Sequence, residues 1–280
     1  MQIAIVTNSK AGSGKAIKLA YKVQDILNSK SIQSKIFLEK DWNETIYSYS
    51  QVWIVGGDGT VNYFVNRFSL IKVPLCIFNG GTGNDFYALL YGKIDLLSQI
   101  EKVLTSEPKP IDAGKCNEYY FLNGVGIGFE GAVAKELIGI NKFAGKTSFL
   151  FSILKQIFKY KEQTYLLESK EFNTTAKYLM LSIANGTRYG GGFLVAPKAK
   201  PNDGLFDANL VAPLSPFKRL RYLPVIEKGK HLNLSFIKYF NTKKISIKSS
   251  QIIQAHLDGE YIEDYELNIE ILPSHFNFLY

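Results

Sequence analysis

The stretch VWIVGGDGTVN, residues 52–62, joins a short apolar run to a glycine-rich segment. Residues 52–55 have the length and composition of a buried strand, and a helix is predicted from about Asn62. Glycines between a strand and a helix let backbone N–H groups surround an anion at the helix N-terminus. Asp58 would repel a phosphate there unless a cation lay between them, so the stretch indicates a Mg²⁺-nucleotide site. The alternative is a tight βα turn with Asp58 as a helix cap.

A second glycine-rich loop repeats this arrangement. Gly80-Gly81-Thr82-Gly83-Asn84-Asp85 follows the apolar run at 75–78. Loops after neighbouring strands of one parallel sheet lie at the same edge, so the two loops should face each other across a crevice. The coincidence favours an anion site over two unrelated turns.

A third loop, NSKAGSGK at residues 8–15, follows the apolar run at 3–6. It fails the P-loop pattern GxxxxGK[ST], because Ser9 and Ala16 stand where that pattern needs Gly and Ser or Thr. We still expect it to bind an anion.

The segment GIGFEG, residues 126–131, matches the dinucleotide fingerprint GxGxxG. The acid expected about 20 residues later is missing, since Phe151 and its neighbours are apolar or basic. The segment also lies beyond the region where strands and helices alternate. We therefore predict no dinucleotide site here.

Composition excludes several classes of protein. The 280 residues are 46% hydrophobic and 21% charged, which is globular rather than disordered or fibrous. Two widely spaced cysteines argue against a zinc site or a disulfide framework and fit a reducing compartment. The sequence starts without a signal peptide, and no uncharged apolar run reaches the ~18 residues of a membrane span, so we expect a soluble protein. The net charge of +8 is a mild hint of phosphate-bearing partners or an anionic membrane.

The pattern of elements predicts two domains. Residues 1–115 alternate strands and helices, which indicates an α/β domain with a parallel sheet. Residues 116–272 contain strands without regular intervening helices, which indicates an antiparallel sandwich or barrel. Residues 273–280 are predicted to return to the first domain as a strand. Helices are predicted in the second domain near 131–140, 143–161 and 216–228.

The predicted helix at 143–161 has apolar side chains at helical spacing and several lysines. Such a basic amphipathic helix can lie on an anionic membrane, but packing against its own domain is an equally good interpretation. Lysines at 218–230 and 238–248 could extend a membrane-facing surface. Basic residues are otherwise dispersed, so nucleic-acid binding is not predicted.

Taken together and in order, the motifs resemble the diacylglycerol kinase catalytic-domain family, particularly the soluble bacterial lipid kinases. The matching stretches are NSKAGSGK, VGGDGTVN, NGGTGNDFYALL, FLNGVGIGFEG, YGGGFLVAPKAKPNDGLFD and HLDGEYIE, between residues 8 and 263. GGDGT alone is shared with NAD kinases and phosphofructokinases, whereas the whole set is highly specific.

The resemblance implies an α/β nucleotide-binding domain of the phosphofructokinase and NAD kinase type, an antiparallel β-sandwich domain for the lipid, and ATP and Mg²⁺ as cofactors. Asp58 and Asp85 match acids that bind or organise the magnesium of the nucleotide, and Glu260 in Asp258-Gly259-Glu260 matches the catalytic base. A structural magnesium would be held by Asp203 and the carbonyls of Lys200 and Leu205. The implied nucleotide-binding residues are Lys10, Ala11, Gly12, Ser13, Gly14, Gly57, Asp58, Gly59, Thr60, Val61, Asn62, Tyr63, Thr82 and Asp85.

Three positions depart from the family pattern. Ser9 stands where the family usually has Pro, which relaxes the turn and leaves its amides. Glu130 replaces the Asp of the NxxGxGxD motif and is one methylene longer. The Thr expected near residue 40 for nucleotide contact is not evident in FLEKDW, residues 37–42.

The leading hypothesis is an ATP-dependent lipid kinase, with Asp58 and Glu260 as its catalytic residues, that phosphorylates the hydroxyl of a membrane lipid such as diacylglycerol. We expect a cytoplasmic protein that contacts the inner membrane surface peripherally and can form a homodimer. One alternative is an NAD kinase-like enzyme that acts on a soluble substrate. The other is a catalytically silent protein that binds lipid or nucleotide.

Overall fold

The computed structural model describes residues 1–139 and 145–280. The described chain divides into two compact units. Unit 1 comprises Met1–Ile111 and Ser274–Tyr280, and unit 2 comprises Asp112–Pro273. The predicted domains, 1–115 with 273–280 and 116–272, differ from these units by four residues at the first boundary and by one at the second.

Unit 1 is built on parallel strands. They are β1 (Gln2–Thr7), β2 (Gln33–Leu38), β3 (Gln51–Gly56) and β4 (Leu75–Asn79). Their spatial order is β2, β1, β3, β4, and Phe278 near the chain end pairs in parallel with Leu75. Residues 3–6 and 52–55 are fully buried, as expected for strands covered on both faces.

The helices of unit 1 follow these strands along the chain. They are α1 (Lys15–Ser29), α2 (Asp58–Arg67), α3 (Asp85–Tyr91) and α4 (Leu96–Thr105), with short 3₁₀ turns at Ala11–Gly14, Glu39–Asp41 and Glu44–Ser48. α1 buries Ala16, Ala20, Val23 and Leu27, one stripe at helical spacing. α1, α2 and α3 therefore each begin just beyond the carboxyl end of a parallel strand.

The strands of unit 2 pair antiparallel. They are β5 (Lys109–Cys116), whose first residues belong to unit 1, β6 (Tyr119–Phe121), β7 (Gly124–Gly128), β8 (Gln163–Ser169), β9 (Asn173–Tyr178), β10 (Met180–Ala184), β11 (Phe206–Val211), β12 (Ile237–Thr242), β13 (Lys244–Leu257) and β14 (Glu260–Phe278), whose last residues return to unit 1. A register shift between Lys248 and Ile253 divides β13. Its first half pairs with β8 and its second half with β7, which lets one strand serve two parts of the sheet.

The helices of unit 2 are α5 (Phe129–Glu136), α6 (Gly145–Lys159) and α7 (Pro216–Glu227). The main core of the unit lies among inward side chains of the strands, where Phe121 stacks on Phe206 with ring centroids 5.6 Å apart. A second core cluster packs α5 and α6 against the sheet through Phe129, Ile153 and Ile157.

The predicted fold class is confirmed: parallel strands with helices in unit 1, antiparallel strands in unit 2. The helix predicted at 131–140 begins earlier and ends at Glu136; residue 140, and residues 143–144 of the next predicted helix, lie outside the described residues. No helix among the described residues is both long and apolar enough to cross a membrane.

Candidate functional site

Three loops of unit 1 meet at the carboxyl ends of β1, β3 and β4. The Asp58 N–H donates to the Gly83 carbonyl at 2.9 Å, and the Gly80 N–H donates to the Gly56 carbonyl at 3.0 Å. A Cβ on Gly12 would collide with the Gly80 carbonyl, so the loop at residues 8–15 lies directly against the loop at residues 80–85. The loops after β3 and β4 therefore meet as predicted, but through direct hydrogen bonds, and the loop at residues 8–15 lies against them.

The Asp58 carboxylate holds two of these loops together. Its Oδ2 accepts the Asp85 N–H at 2.9 Å and its Oδ1 accepts the Phe86 N–H at 3.2 Å. Those amides begin α3, so a charge from the start of α2 caps the neighbouring helix. The sequence left open whether Asp58 is a magnesium ligand or the cap of its own helix. In the structure, its carboxylate caps α3.

Close backbone approach explains the glycines of the loops after β3 and β4. A Cβ on Gly57 would lie 2.6 Å from the Gly83 carbonyl oxygen and 2.9 Å from Gly81 Cα. Asn84 Nδ2 donates to the Gly81 carbonyl at 3.0 Å, whereas the buried Asn84 Oδ1 has no hydrogen-bond partner among the described residues. A buried acceptor of this kind suits a ligand or water that donates a hydrogen bond.

The loop at residues 8–15 has an unusual backbone. Gly12, Ser13 and Gly14 have φ values of +56°, +59° and +84°, a left-handed run before α1. The Lys10 N–H donates to Asn8 Oδ1 at 2.9 Å, which fixes the start of the loop, and the Lys10 side chain is exposed. With α2, this gives two helix N-termini beside the meeting point, an arrangement that favours a multiply charged anion, whereas the first amides of α3 already donate to Asp58.

The other predicted nucleotide-binding residues of unit 1 lie on the same loops. Ala11 and Gly59 are half-buried, Thr60, Val61 and Asn62 are buried in the first turns of α2, and Tyr63 and Thr82 are exposed. The structure therefore brings the predicted positions of 10–14, 57–63, 82 and 85 into one region of unit 1. No metal-ligating group of three or more His, Cys, Asp or Glu side chains occurs in the described part of the chain.

In unit 2, Glu260 lies just beyond a two-residue turn between β13 and β14. Asp258 and Gly259 have φ values of +49° and +91°, as an Asp-Gly hairpin turn requires. The Asp258 carboxylate accepts the backbone N–H groups of Leu122, Asn123 and Gly124 at 2.7, 2.9 and 2.9 Å. The Glu260 side chain is exposed, on a backbone that Asp258 fixes from two residues away.

The segment predicted to hold a structural magnesium is a tight turn in unit 2. Asp203 is exposed, and its Oδ1 accepts the Leu205 N–H at 3.1 Å. The buried Asp112, which sequence reasoning missed, accepts the Gly204 N–H at 2.7 Å, while its own N–H donates to the Pro201 carbonyl at 2.7 Å. Lys200 is exposed at the edge of this turn.

Glu130 lies in a buried polar cluster behind the Glu260 turn. Its Oε2 accepts from Ser182 Oγ at 3.0 Å and from the Tyr189 hydroxyl at 3.1 Å. Burial raises the pKa of Glu130 to about 8, although these two hydrogen bonds favour the charged form. The Tyr189 ring packs edge-on against the ring of His256, 5.2 Å away, and burial lowers the pKa of His256 to about 4.

This cluster supports the turn directly. His256 Nδ1 accepts the Gly259 N–H at 3.3 Å. A Cβ on Gly126 would collide with Glu130 Oε2 and His256 Nε2, so the first glycine of GIGFEG makes room for these side chains. β7, which carries that glycine, pairs antiparallel with β10 and β13, so the segment is not part of a βαβ dinucleotide site.

Sequence reasoning missed Asp112, Tyr189 and His256 as parts of these sites. The DGE motif contained a signal for Asp258, since an Asp before a turn glycine often accepts nearby amides. Asp112, Tyr189 and His256 carry no local signal, because their partners lie far away in the chain.

Comparison with known proteins gives matches to two family models. Residues 2–116 match the diacylglycerol kinase catalytic domain, and residues 123–280 match the YegS C-terminal NAD kinase beta sandwich-like domain. A Pseudomonas putida protein named "Probable lipid kinase YegS-like" is 31% identical over 230 residues, covering 81% of this chain and 75% of its own. A Bacillus subtilis protein named "Diacylglycerol kinase" is 26% identical over 212 residues, covering 74% and 69%.

Solved structures share the fold. A diacylglycerol kinase from Bacillus anthracis superimposes with a TM-score of 0.71 at 21% identity and covers 100% of this chain and 96% of its own. An NAD kinase from Archaeoglobus fulgidus in complex with ATP gives 0.59 at 16% identity, covering 100% and 94%. The family models and the Pseudomonas relative show that the chain belongs to the diacylglycerol kinase catalytic-domain family of lipid kinases.

Proposed function

We propose that the protein is an ATP-dependent lipid kinase that transfers the γ-phosphoryl group of ATP to the hydroxyl of a membrane lipid such as diacylglycerol. The observation that carries the proposal is the meeting of three glycine-rich loops beside the N-termini of α1 and α2 in unit 1. This much backbone N–H density and helix dipole is suited to a triphosphate.

The nucleotide would be bound by the loop residues already described. Residues 10–14 would close over the phosphates from one side, and residues 57–63 with Thr82 would contact them from the other. The Asn84 Oδ1, buried without a partner among the described residues, is an acceptor for a hydroxyl or a bound water. These contacts position the γ-phosphoryl group, which is the main requirement of phosphoryl transfer.

Magnesium would be held in the same region, since each Asp58 oxygen that caps α3 keeps a second lone pair. Asp58 and Asp85 lie on adjacent loops, and carboxylate oxygens are ligands that Mg²⁺ prefers, with phosphate oxygens and waters completing its shell. Mg²⁺ held there would neutralise negative charge that develops on the transferred group. A second, structural Mg²⁺ would be held by Asp203 with the carbonyl oxygens of Lys200 and Leu205.

Glu260 would act as the general base. Its carboxylate accepts the proton of the lipid hydroxyl as that oxygen attacks the γ-phosphorus. The bond between the γ-phosphorus and the bridging oxygen breaks, so the products are a phosphorylated lipid, ADP and a proton that passes to solvent from Glu260. The exposed position of Glu260 on a rigid turn is compatible with reaching a substrate.

The test is a substrate panel with radiolabelled ATP and Mg²⁺. Diacylglycerol, phosphatidylglycerol, sphingoid bases and undecaprenol are presented in mixed micelles, and NAD is offered without detergent. Label in a lipid supports the proposal and identifies the acceptor. Label in NAD alone would instead establish the NAD kinase-like alternative, and ATP binding without transfer to any acceptor would establish the silent binding protein.

A further inference from the structure

The outward side of α6 is apolar, although its inward side already fills a core. Ser152, Ile153, Gln156 and Ile157 face the unit and are buried. On the other side, Phe151 is 69% exposed and Phe158 is 60% exposed, with Leu150 and Leu154 also exposed. An apolar outward helix face of this size indicates an interaction surface.

α7 adds to the same surface. Phe217 is 79% exposed and Leu220 is 43% exposed. The buried Arg219 fixes α7 to the end of α6, because its guanidinium donates to the Ile157 and Tyr160 carbonyls at 2.9 Å each. The exposed apolar side chains of the two helices therefore belong to one rigid part of unit 2, which we call the α6–α7 surface.

The α6–α7 surface is basic as well as apolar. Residues 149–161 contain three exposed lysines and no acidic residue, and residues 213–230 contain four exposed basic residues and one acidic residue. The nearby acids are engaged by basic partners: Glu136 pairs with Lys155 at 3.0 Å, and Glu162 pairs with Arg219 at 2.5 Å. Lys159, which also lies 3.9 Å from Glu136, is exposed, as are Lys218 and Arg221.

We propose that the α6–α7 surface docks on an anionic lipid bilayer, with Phe151, Phe158 and Phe217 inserted among the lipid head groups and basic side chains over the acidic ones. Exposed aromatic residues among Lys and Arg are the pattern of an interfacial membrane contact. A second copy of the chain fits less well, since a symmetric interface would bring like charges together. The inference rests on the proposed function for its purpose, because a kinase must meet a lipid acceptor at the bilayer.

The test is sedimentation of the full-length protein with vesicles, without ATP. Vesicles of phosphatidylglycerol and phosphatidylcholine should bind the protein, and pure phosphatidylcholine vesicles or high salt should weaken binding. Combined Phe151→Ser, Phe158→Ser and Phe217→Ser substitutions should weaken binding by about tenfold or more, since each removes a large apolar group from the bilayer. Leu70→Ser with Tyr265→Ser is the control, because these residues are 72% and 57% exposed elsewhere and should leave binding unchanged.

A second variant guards against misfolding of the first. Lys218→Glu with Arg221→Glu alters only exposed charges and should weaken binding to anionic vesicles by about tenfold or more, since each basic residue near the surface contributes about fivefold. Unchanged vesicle binding in both variants would overturn the inference. The inference would also be overturned if the variants lost self-association in gel filtration while their vesicle binding stayed unchanged.

The outcome is separable from that of the proposed function. Vesicle binding is measured without turnover, so binding through this surface by a protein that phosphorylates no lipid would refute only the kinase. Lipid phosphorylation in micelles, combined with vesicle binding that the variants do not change, would refute only the docking surface.

Discussion

The Asp-Gly dipeptides at 58–59 in unit 1 and 258–259 in unit 2 anchor their loops by the same chemistry. The first carboxylate accepts the amides of Asp85 and Phe86, and the second accepts those of residues 122–124. They differ in the element that each one begins. The first dipeptide opens a helix, whereas the second turns a hairpin with both residues at positive φ.

The difference shows how one local motif can anchor two kinds of element. In unit 1 the dipeptide lies at a helix N-terminus, so its surroundings favour an anion. In unit 2 the following residue, Glu260, starts an antiparallel strand and remains exposed. In both units the Asp carboxylate fixes the backbone of a neighbouring segment. The element that follows determines which groups are presented: the amides of a helix N-terminus in unit 1 and the exposed Glu260 side chain in unit 2.

The largest expected effect on ATP binding comes from separating the loops of unit 1. Gly57→Ala places a Cβ 2.6 Å from the Gly83 carbonyl oxygen and 2.9 Å from Gly81 Cα, so both loops must move. We expect ATP affinity, measured by calorimetry, to fall by about a hundredfold, since overpacking of this kind typically costs about 1–3 kcal/mol. Gly83→Ala is the control, because its Cβ would meet only Asp58 Oδ2, at 3.3 Å. Equal ATP affinities of the two variants would contradict the packing argument.

Asn substitutions at the two aspartates should separate their roles. An Asn side chain keeps one acceptor oxygen, but its NH₂ group faces a backbone N–H that the Asp carboxylate had accepted. We expect this loss of a hydrogen bond to lower the free energy of unfolding by about 1.5–3 kcal/mol. Asp58→Asn should raise the KM for ATP, and Asp258→Asn should lower kcat with that KM unchanged. Denaturation in urea gives the stability, and steady-state kinetics give the KM and kcat. A raised KM for ATP in Asp258→Asn would break the division of roles.

The buried cluster behind the Glu260 turn predicts a pH dependence of stability. Burial raises the pKa of Glu130 from 4.5 to about 8, so its contribution to stability is full below pH 4.5 and is lost as the pH rises to 8. Burial lowers the pKa of His256 from 6.5 to about 4, so its contribution is full above pH 6.5 and is lost as the pH falls to 4.

Between pH 4.5 and 6.5 the two groups change the free energy of unfolding in opposite directions. Between pH 6.5 and 8 only Glu130 acts, and the free energy of unfolding falls. That loss is about 2 kcal/mol, since each pKa unit corresponds to about 1.4 kcal/mol. Glu130→Gln, which cannot ionise, should abolish the loss in urea denaturation measured across this range. An unchanged slope in the variant would show that Glu130 is already ionised at neutral pH.

The smallest expected effect tests the hairpin backbone alone. Gly259 has φ +91°, and a Cβ added there would meet no heavy atom of the described residues within 4 Å, so Gly259→Ala adds backbone strain without a clash. We expect a loss of about 1 kcal/mol in the free energy of unfolding. A loss as large as that of Asp258→Asn would mean that the turn, rather than its carboxylate, holds the segment.

Features encoded locally could be predicted from the sequence. The apolar runs at 52–55 and 75–78 and their glycines determine strand, loop and helix within a few residues, so the three loops lie where the sequence predicts them. β2 escapes such prediction because it lies at the end of the strand order and carries Gln and Lys. β7 escapes it because its sequence, GVGIG, has three glycines and resembles a loop.

Long-range contacts could not be predicted in this way. Asp58 accepts the N–H of Asp85, a residue 27 positions away in the chain. Asp258 accepts the N–H of Leu122, a residue 136 positions away. The substitution of Glu for the expected Asp at 130 is visible in the sequence, but the Ser182 and Tyr189 hydroxyls that surround it are not. Burial and pKa at such a site depend on which distant segments fold over it.

The most direct test of the account is the turnover of Glu260→Gln on the lipid identified by the substrate panel. The control is Glu263→Gln, an exposed acid on the same strand that pairs with Lys135 at 3.1 Å. We predict that kcat of Glu260→Gln falls by about 10²–10⁴, the usual contribution of a general base, while ATP binding and stability stay unchanged. Wild-type kcat in Glu260→Gln, or an equal fall in Glu263→Gln, would contradict the assignment of Glu260 as the base.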